Sequence, residues 1–179
     1  MEIKELEELT SEAKEAYQHG EYRKAAQLYE TAVNGYRAQS KYLMAAEMAN
    51  NQSVALLQAG EAQAALEAVS ATDEVFKEAG DYVKQAMAVG NRAAALEALN
   101  RLEEAEAAYQ FCADLLKAAG ETDLRAHVMQ SLSAIQIRQG KQLEGITSMQ
   151  AGLLGLERPS LRQRILKKLL DIPYKLFGR

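Results

Sequence analysis

The chain carries helix-breaking residues every 20 positions, and this spacing constrains its fold more than any other feature. Gly20, Gly60 and Gly140 lie 40 residues or a multiple of 40 apart, with Asn100 in the remaining slot. A second series, offset by 20, runs Ser40, Gly80, Gly120, Ser160. Gly and Asn end helices because they tolerate a left-handed backbone. The spacing therefore predicts helices of about 17 to 19 residues, taken two at a time in a 40-residue repeat.

The positions between the breaks agree with this period. Ala25, Ala65, Ala105 and Gly145 form a small-residue column, followed by the large apolar column Tyr29, Val69, Tyr109 and Met149. A second small column (Ala32, Thr72, Cys112, Gly152) and a second large one (Tyr36, Phe76, Leu116, Leu156) come three and seven residues later. Steps of four, three and four trace one stripe of an α-helix. In the preceding helices Ala13, Ser53, Ala93 and Ser133 align, as do Ala46, Ala86 and Ala126. Small residues in register let helices approach closely, and stacked copies bury a face that one pair cannot bury alone. Prolines stand only at 159 and 173, so the helices before them run without a proline kink.

Ala13-Lys-Glu-Ala-Tyr-Gln-His-Gly-Glu-Tyr-Arg-Lys-Ala-Ala-Gln-Leu-Tyr-Glu-Thr-Ala32 resembles a tetratricopeptide repeat. It has the small residue of the first helix, the Gly-acid-Tyr turn, and Ala, Tyr and Ala at the spacing of the second. Asn51 and Asn91 stand where that family often carries asparagine. The 40-residue period, longer than the usual 34, is similar to that of kinesin light chain-type repeats. The resemblance covers residues 1–157 as four helix pairs, about 1–40, 41–80, 81–120 and 121–157, and is strongest in the first three. The fourth departs from it, with Gly145 and Gly152 for alanine and Gln142 at the turn aromatic. The implied fold is all-α, a right-handed superhelical solenoid. Residues 158–179 would supply a basic amphipathic capping helix, with Ser160 at its start.

No catalytic or metal-binding motif is evident. His19 and His127 are far apart, Cys112 is the single cysteine, and no glycine-rich phosphate loop occurs. An enzyme is not expected, nor is a cofactor. Glu103, Glu104 and Glu106 read as a solvated first helical turn, and Cys112 as a packing residue. The acidic first residues do not form a signal, no apolar run approaches a membrane span, and one cysteine fits a reducing compartment, so a cytoplasmic location is expected.

In tetratricopeptide proteins the first helix of each pair lines a concave groove. By this resemblance the partner-binding residues are Lys14 and Tyr17 in the first repeat, with Glu47, Asn50, Val54 and Leu57 in the second. Met87, Gly90 and Glu97 follow in the third, and His127, Gln130 and Arg138 in the fourth. The aliphatic and amide side chains among them suit a peptide or helix of another protein. The third repeat has Met87 and Asn91 where a clamp for carboxyl-terminal chaperone tails needs cations, which speaks against that ligand.

Charge divides unevenly along the chain. Residues 1–157 carry a net charge of −10 and residues 158–179 one of +6. In the basic segment Leu161, Ile165, Leu169 and Ile172 form a stripe, widened by Leu166 and Leu170. One reading is a cap on the last repeat. The other is contact with an anionic membrane or a partner helix through Lys167, Lys168, Lys175 and Phe177. The acidic body argues against nucleic acid. The expected function is a protein-interaction adaptor, with a membrane-associated assembly factor or a self-associating scaffold as the alternatives.

Overall fold

The fold is all-α, with consecutive helices packed on their neighbours. The computed structural model describes residues 2–154, 156 and 160–170, apart from the side chains of Arg162 and Leu169. The helices are α1 (Ile3–Gln18), α2 (Tyr22–Ala38), α3 (Tyr42–Gln58), α4 (Ala62–Ala68), α5 (Thr72–Glu78), α6 (Tyr82–Ala98), α7 (Leu102–Ala118), α8 (Thr122–Arg138), α9 (Gln142–Leu154) and α10 (Leu161–Leu170). No strand occurs among the described residues.

One turn recurs every 20 residues. At Gly20 the Glu21 N–H donates to the Ala16 carbonyl at 2.9 Å, and the Gly20 N–H to that of Tyr17 at 3.0 Å. This pair of bonds closes a helix whose next residue is left-handed. The same two bonds recur around Ser40, Gly60, Gly80, Asn100, Gly120 and Gly140, each with φ between 57° and 80°. The residue that closes one helix also opens the next. The Glu21 carbonyl accepts from the Ala25 N–H at 2.9 Å, and Lys41, Glu61, Asp81, Arg101, Glu121 and Lys141 repeat this at their own turns. Only three residues separate the helices at each such turn, so the chain doubles back into hairpins. Ser160 does not belong to this series. It caps α10, its N–H donating to Gln163 Oε1 at 2.7 Å while its Oγ accepts from the Gln163 N–H at 3.4 Å. The preceding α9 ends at Leu154, short of the length the spacing predicts.

A further departure lies in the second repeat. Periodicity predicts one helix between Gly60 and Gly80, but Val69–Ala71 interrupts it. Ala71 is left-handed, with φ 62°. The Thr72 N–H turns back on the Val69 carbonyl at 3.2 Å, and the Thr72 hydroxyl reaches the same oxygen at 2.9 Å. A threonine that satisfies a carbonyl in this way competes with the helix for it. Val69 and Thr72 remain buried, so the break leaves the columns intact.

Residues 1–108 and 109–179 form two compact units, the division falling within α7. In the first, α1 packs on α2 and α2 on α3, while α3 meets α4, α5 and α6. Its core is built from the predicted columns: Ala13, Ala25, Ala32 and Ala65 are fully buried, with Tyr29 and Tyr36 between them. Phe76 is fully buried beside Ala46 and Ala88. In the second unit α8 packs on α9 and α9 on α10. Here the two glycines of the small columns have a physical reason. A Cβ on Gly152 would lie 2.9 Å from Met129 Cβ, and one on Gly145 would lie 2.7 Å from Ile137 Cγ1 and 3.0 Å from the Ser133 carbonyl oxygen. The backbones of α8 and α9 approach too closely for alanine.

Candidate functional site

Helices α1, α3 and α6, the first helices of three repeats, are linked side by side in the first unit. Thr10 Oγ1 on α1 lies 3.4 Å from Met48 Sδ on α3. Lys84 Nζ on α6 lies 2.7 Å from Glu47 Oε1 on α3 and 3.3 Å from Asp81 Oδ2. The bond to Glu47, followed by that to Asp81, raises the Lys84 pKa above the usual lysine value. Asp81 Oδ1 also accepts from the Lys84 N–H at 2.9 Å, which caps α6 and holds the carboxyl below its usual range.

The predicted groove residues of these three helices differ in accessibility. On α1, Lys14 is exposed, whereas Tyr17 is half-buried and meets Tyr22 edge-to-face at 5.4 Å between ring centres. On α3, Glu47 is engaged by Lys84, and Val54 and Leu57 are half-buried, Leu57 against the core. Asn50 is buried, and its Oδ1 accepts from the Thr72 hydroxyl at 3.2 Å. Its amide oxygen is therefore engaged inside the protein. On α6, Met87 is exposed at 51%, Gly90, Ala94 and Glu97 are half-buried, and Ala98 is exposed. The small residues after Met87 leave that part of the surface low. The fourth row belongs to α8 in the second unit, where His127 and Arg138 are exposed and Gln130 is half-buried. Of the basic residues, Lys167 is half-buried and Lys168 exposed, while Lys175 and Phe177 lie outside the described residues.

A cleft lies elsewhere on the first unit. It has a volume of about 480 Å³ and runs between α2 and α4 over α3. Ala26, Ala49, Ala64 and Ala68 keep it open, and Gln27 and Asn34 are among its polar walls. Arg23 Nε bridges to Glu61 Oε1 at 2.7 Å at its edge. Its volume falls within the range of ligand pockets. Periodicity did not expose this cleft, because alanine in a helical repeat reads equally well as close packing. The signal available was the coincidence of four alanines on three helices.

Among the described residues no group of three or more His, Cys, Asp and Glu side chains could hold a metal ion. Cys112 is buried. No described helix is long and apolar enough to cross a membrane. No family model matches the chain, and no curated protein matches it.

Proposed function

We propose that the chain is a protein-interaction module of tetratricopeptide type that binds a peptide or helix of another protein on the face made by α1, α3 and α6. The observation that carries this reading is Met87, a large apolar side chain left 51% exposed beside the small Gly90, Ala94 and Ala98 on α6. An apolar anchor next to a low, small-residue surface is what an incoming side chain or helix needs. Half-buried Val54 and Leu57 extend the apolar surface on the neighbouring helix, and exposed Gln18 and Gln58 offer amide donors and acceptors at its end. Asn50 contributes to the fold of this face and is not assigned a ligand. The module is read as an adaptor, not an enzyme, acting in the cytoplasm without a cofactor.

Affinity capture from the native lysate tests this, with Met87→Glu and Ala94→Glu combined to bring charge and bulk to the low surface. Loss of a specific partner with helical content unchanged supports the reading. A partner retained by this variant, but lost when Gln27 and Asn34 are replaced by Ala, would move binding to the cleft between α2 and α4.

A further inference from the structure

The basic helix α10 presents an unexpected side to solvent. Its inner side, half-buried Leu166 and Leu170, faces α9, and Gln150 Nε2 of α9 donates to the Leu170 carbonyl at 2.7 Å. The Ser160–Gln163 box fixes its other end. With both ends held, the stripe Leu161, Arg164, Ile165, Lys168, spaced i, i+3, i+4, i+7, turns outward. Leu161 is 70% and Ile165 51% exposed, and Arg164 and Lys168 are exposed beside them. None of these cations pairs with a described carboxylate. A helix serving only as a cap would carry leucine inward and polar groups outward. This one also carries leucine and isoleucine outward.

The neighbouring α9 departs in the same direction. Leu143 holds the register position of Arg23, Gln63 and Glu103, and Leu154 that of Asn34, Glu74 and Asp114. All six earlier residues are polar and exposed. Leu143 and Leu154 are 79% and 67% exposed. Solvent suits the earlier residues and not these two, so this end of the chain has gained apolar surface where its own repeats keep polarity.

We propose that the outer stripe of α10 is a contact site for an anionic lipid surface. The stripe alternates aliphatic and cationic side chains on the exposed side of α10. It therefore calls for a partner that offers apolar depth and negative charge together, without needing a groove of its own. The interfacial zone of a bilayer containing acidic phospholipid has that chemistry: leucine and isoleucine enter below the headgroups, and arginine and lysine reach back to the phosphates. The +6 charge of residues 158–179 is complementary to it. A ten-residue helix inserts little surface, so contact is reversible and depends on lipid charge.

The test is flotation of the full chain with vesicles of pure phosphatidylcholine and with vesicles containing about 30 mol % phosphatidylserine. Capture by the acidic vesicles alone is expected, with release at about 0.5 M salt. Arg164→Glu with Lys168→Glu should weaken partition by roughly thirty-fold or more. Leu161→Ala with Ile165→Ala should weaken it by roughly ten-fold or more. All four side chains point outward, so the circular dichroism of both variants should match the wild type. Three results would overturn the proposal. These are no capture by acidic vesicles, capture undiminished in both variants, and concentration-dependent self-association that both variants abolish while lipid is ignored. The last would assign the stripe to a protein partner.

Discussion

Thr72 Oγ1 on α5 lies 3.2 Å from Asn50 Oδ1 on α3, both residues buried, and 2.9 Å from the Val69 carbonyl oxygen. The hydroxyl thus joins the broken second helix of one repeat to the first helix of the same repeat. The next residue, Asp73, is also buried, 3.3 Å from Arg92 on α6. Asn50 is therefore a structural residue. Asn50→Ala should lower stability by about 1–2 kcal/mol, read by urea denaturation, while partner capture by the folded fraction is unchanged.

Ala71 holds a left-handed conformation, φ 62°, which strains an alanine but not a glycine. Ala71→Gly should raise stability by about 0.5–1 kcal/mol, measured at equilibrium. The same substitution at Ala79, a helix cap in ordinary right-handed geometry, lacks this strain and should not stabilise.

Gly152 would ordinarily gain from replacement by alanine in mid-helix, by about 1 kcal/mol. Here the added Cβ would stand 2.9 Å from Met129 Cβ, an atom fixed to its backbone. Gly152→Ala should instead cost about 1–3 kcal/mol, seen as a lower denaturation midpoint with unchanged slope.

Ser53 and Ser133 are fully buried, and among the described residues their hydroxyls have no hydrogen-bond partner. The matching positions are Ala13 and Ala93, also fully buried. Ser53→Ala and Ser133→Ala should each be neutral or stabilising by up to about 1 kcal/mol, by the same measurement.

Asp81 caps α6 through the Lys84 N–H, and this bond holds its carboxyl below the usual aspartate range. A depressed folded pKa contributes stability above the unfolded value and loses it as pH falls through the folded one. Asp81→Ala should cost about 1 kcal/mol at neutral pH. The gap between variant and wild type should close in acid, once Asp81 is protonated in the wild type too.

Much of the fold was legible because turn chemistry and helical periodicity are local. Gly20, Asn100 and their counterparts mark turns whose bonds lie within six residues, and the alanine and aromatic columns are buried as their spacing predicts. What periodicity missed depends on tertiary context. The break at Val69–Ala71 has no glycine or proline to announce it, since Thr72 supplies the competing bond from a position that reads as core. Asn50 looked like a ligand-facing amide, because its partner Thr72 comes 22 residues later. On α10, Leu161 and Ile165 of the expected stripe are exposed, whereas Leu166 and Leu170, expected only to widen it, are half-buried. The face of α1, α3 and α6 was legible as rows, but which members remain accessible depended on neighbours such as Lys84.

The most direct test of the binding face uses methionine methyl resonances, recorded while the captured partner is titrated into isotopically labelled protein. Met87 is exposed on α6, whereas Met48 and Met129 are buried. Binding on the face of α1, α3 and α6 predicts a saturable shift of the Met87 methyl resonance, with little change at Met129. Saturation of the partner with the Met87 resonance unmoved would contradict it.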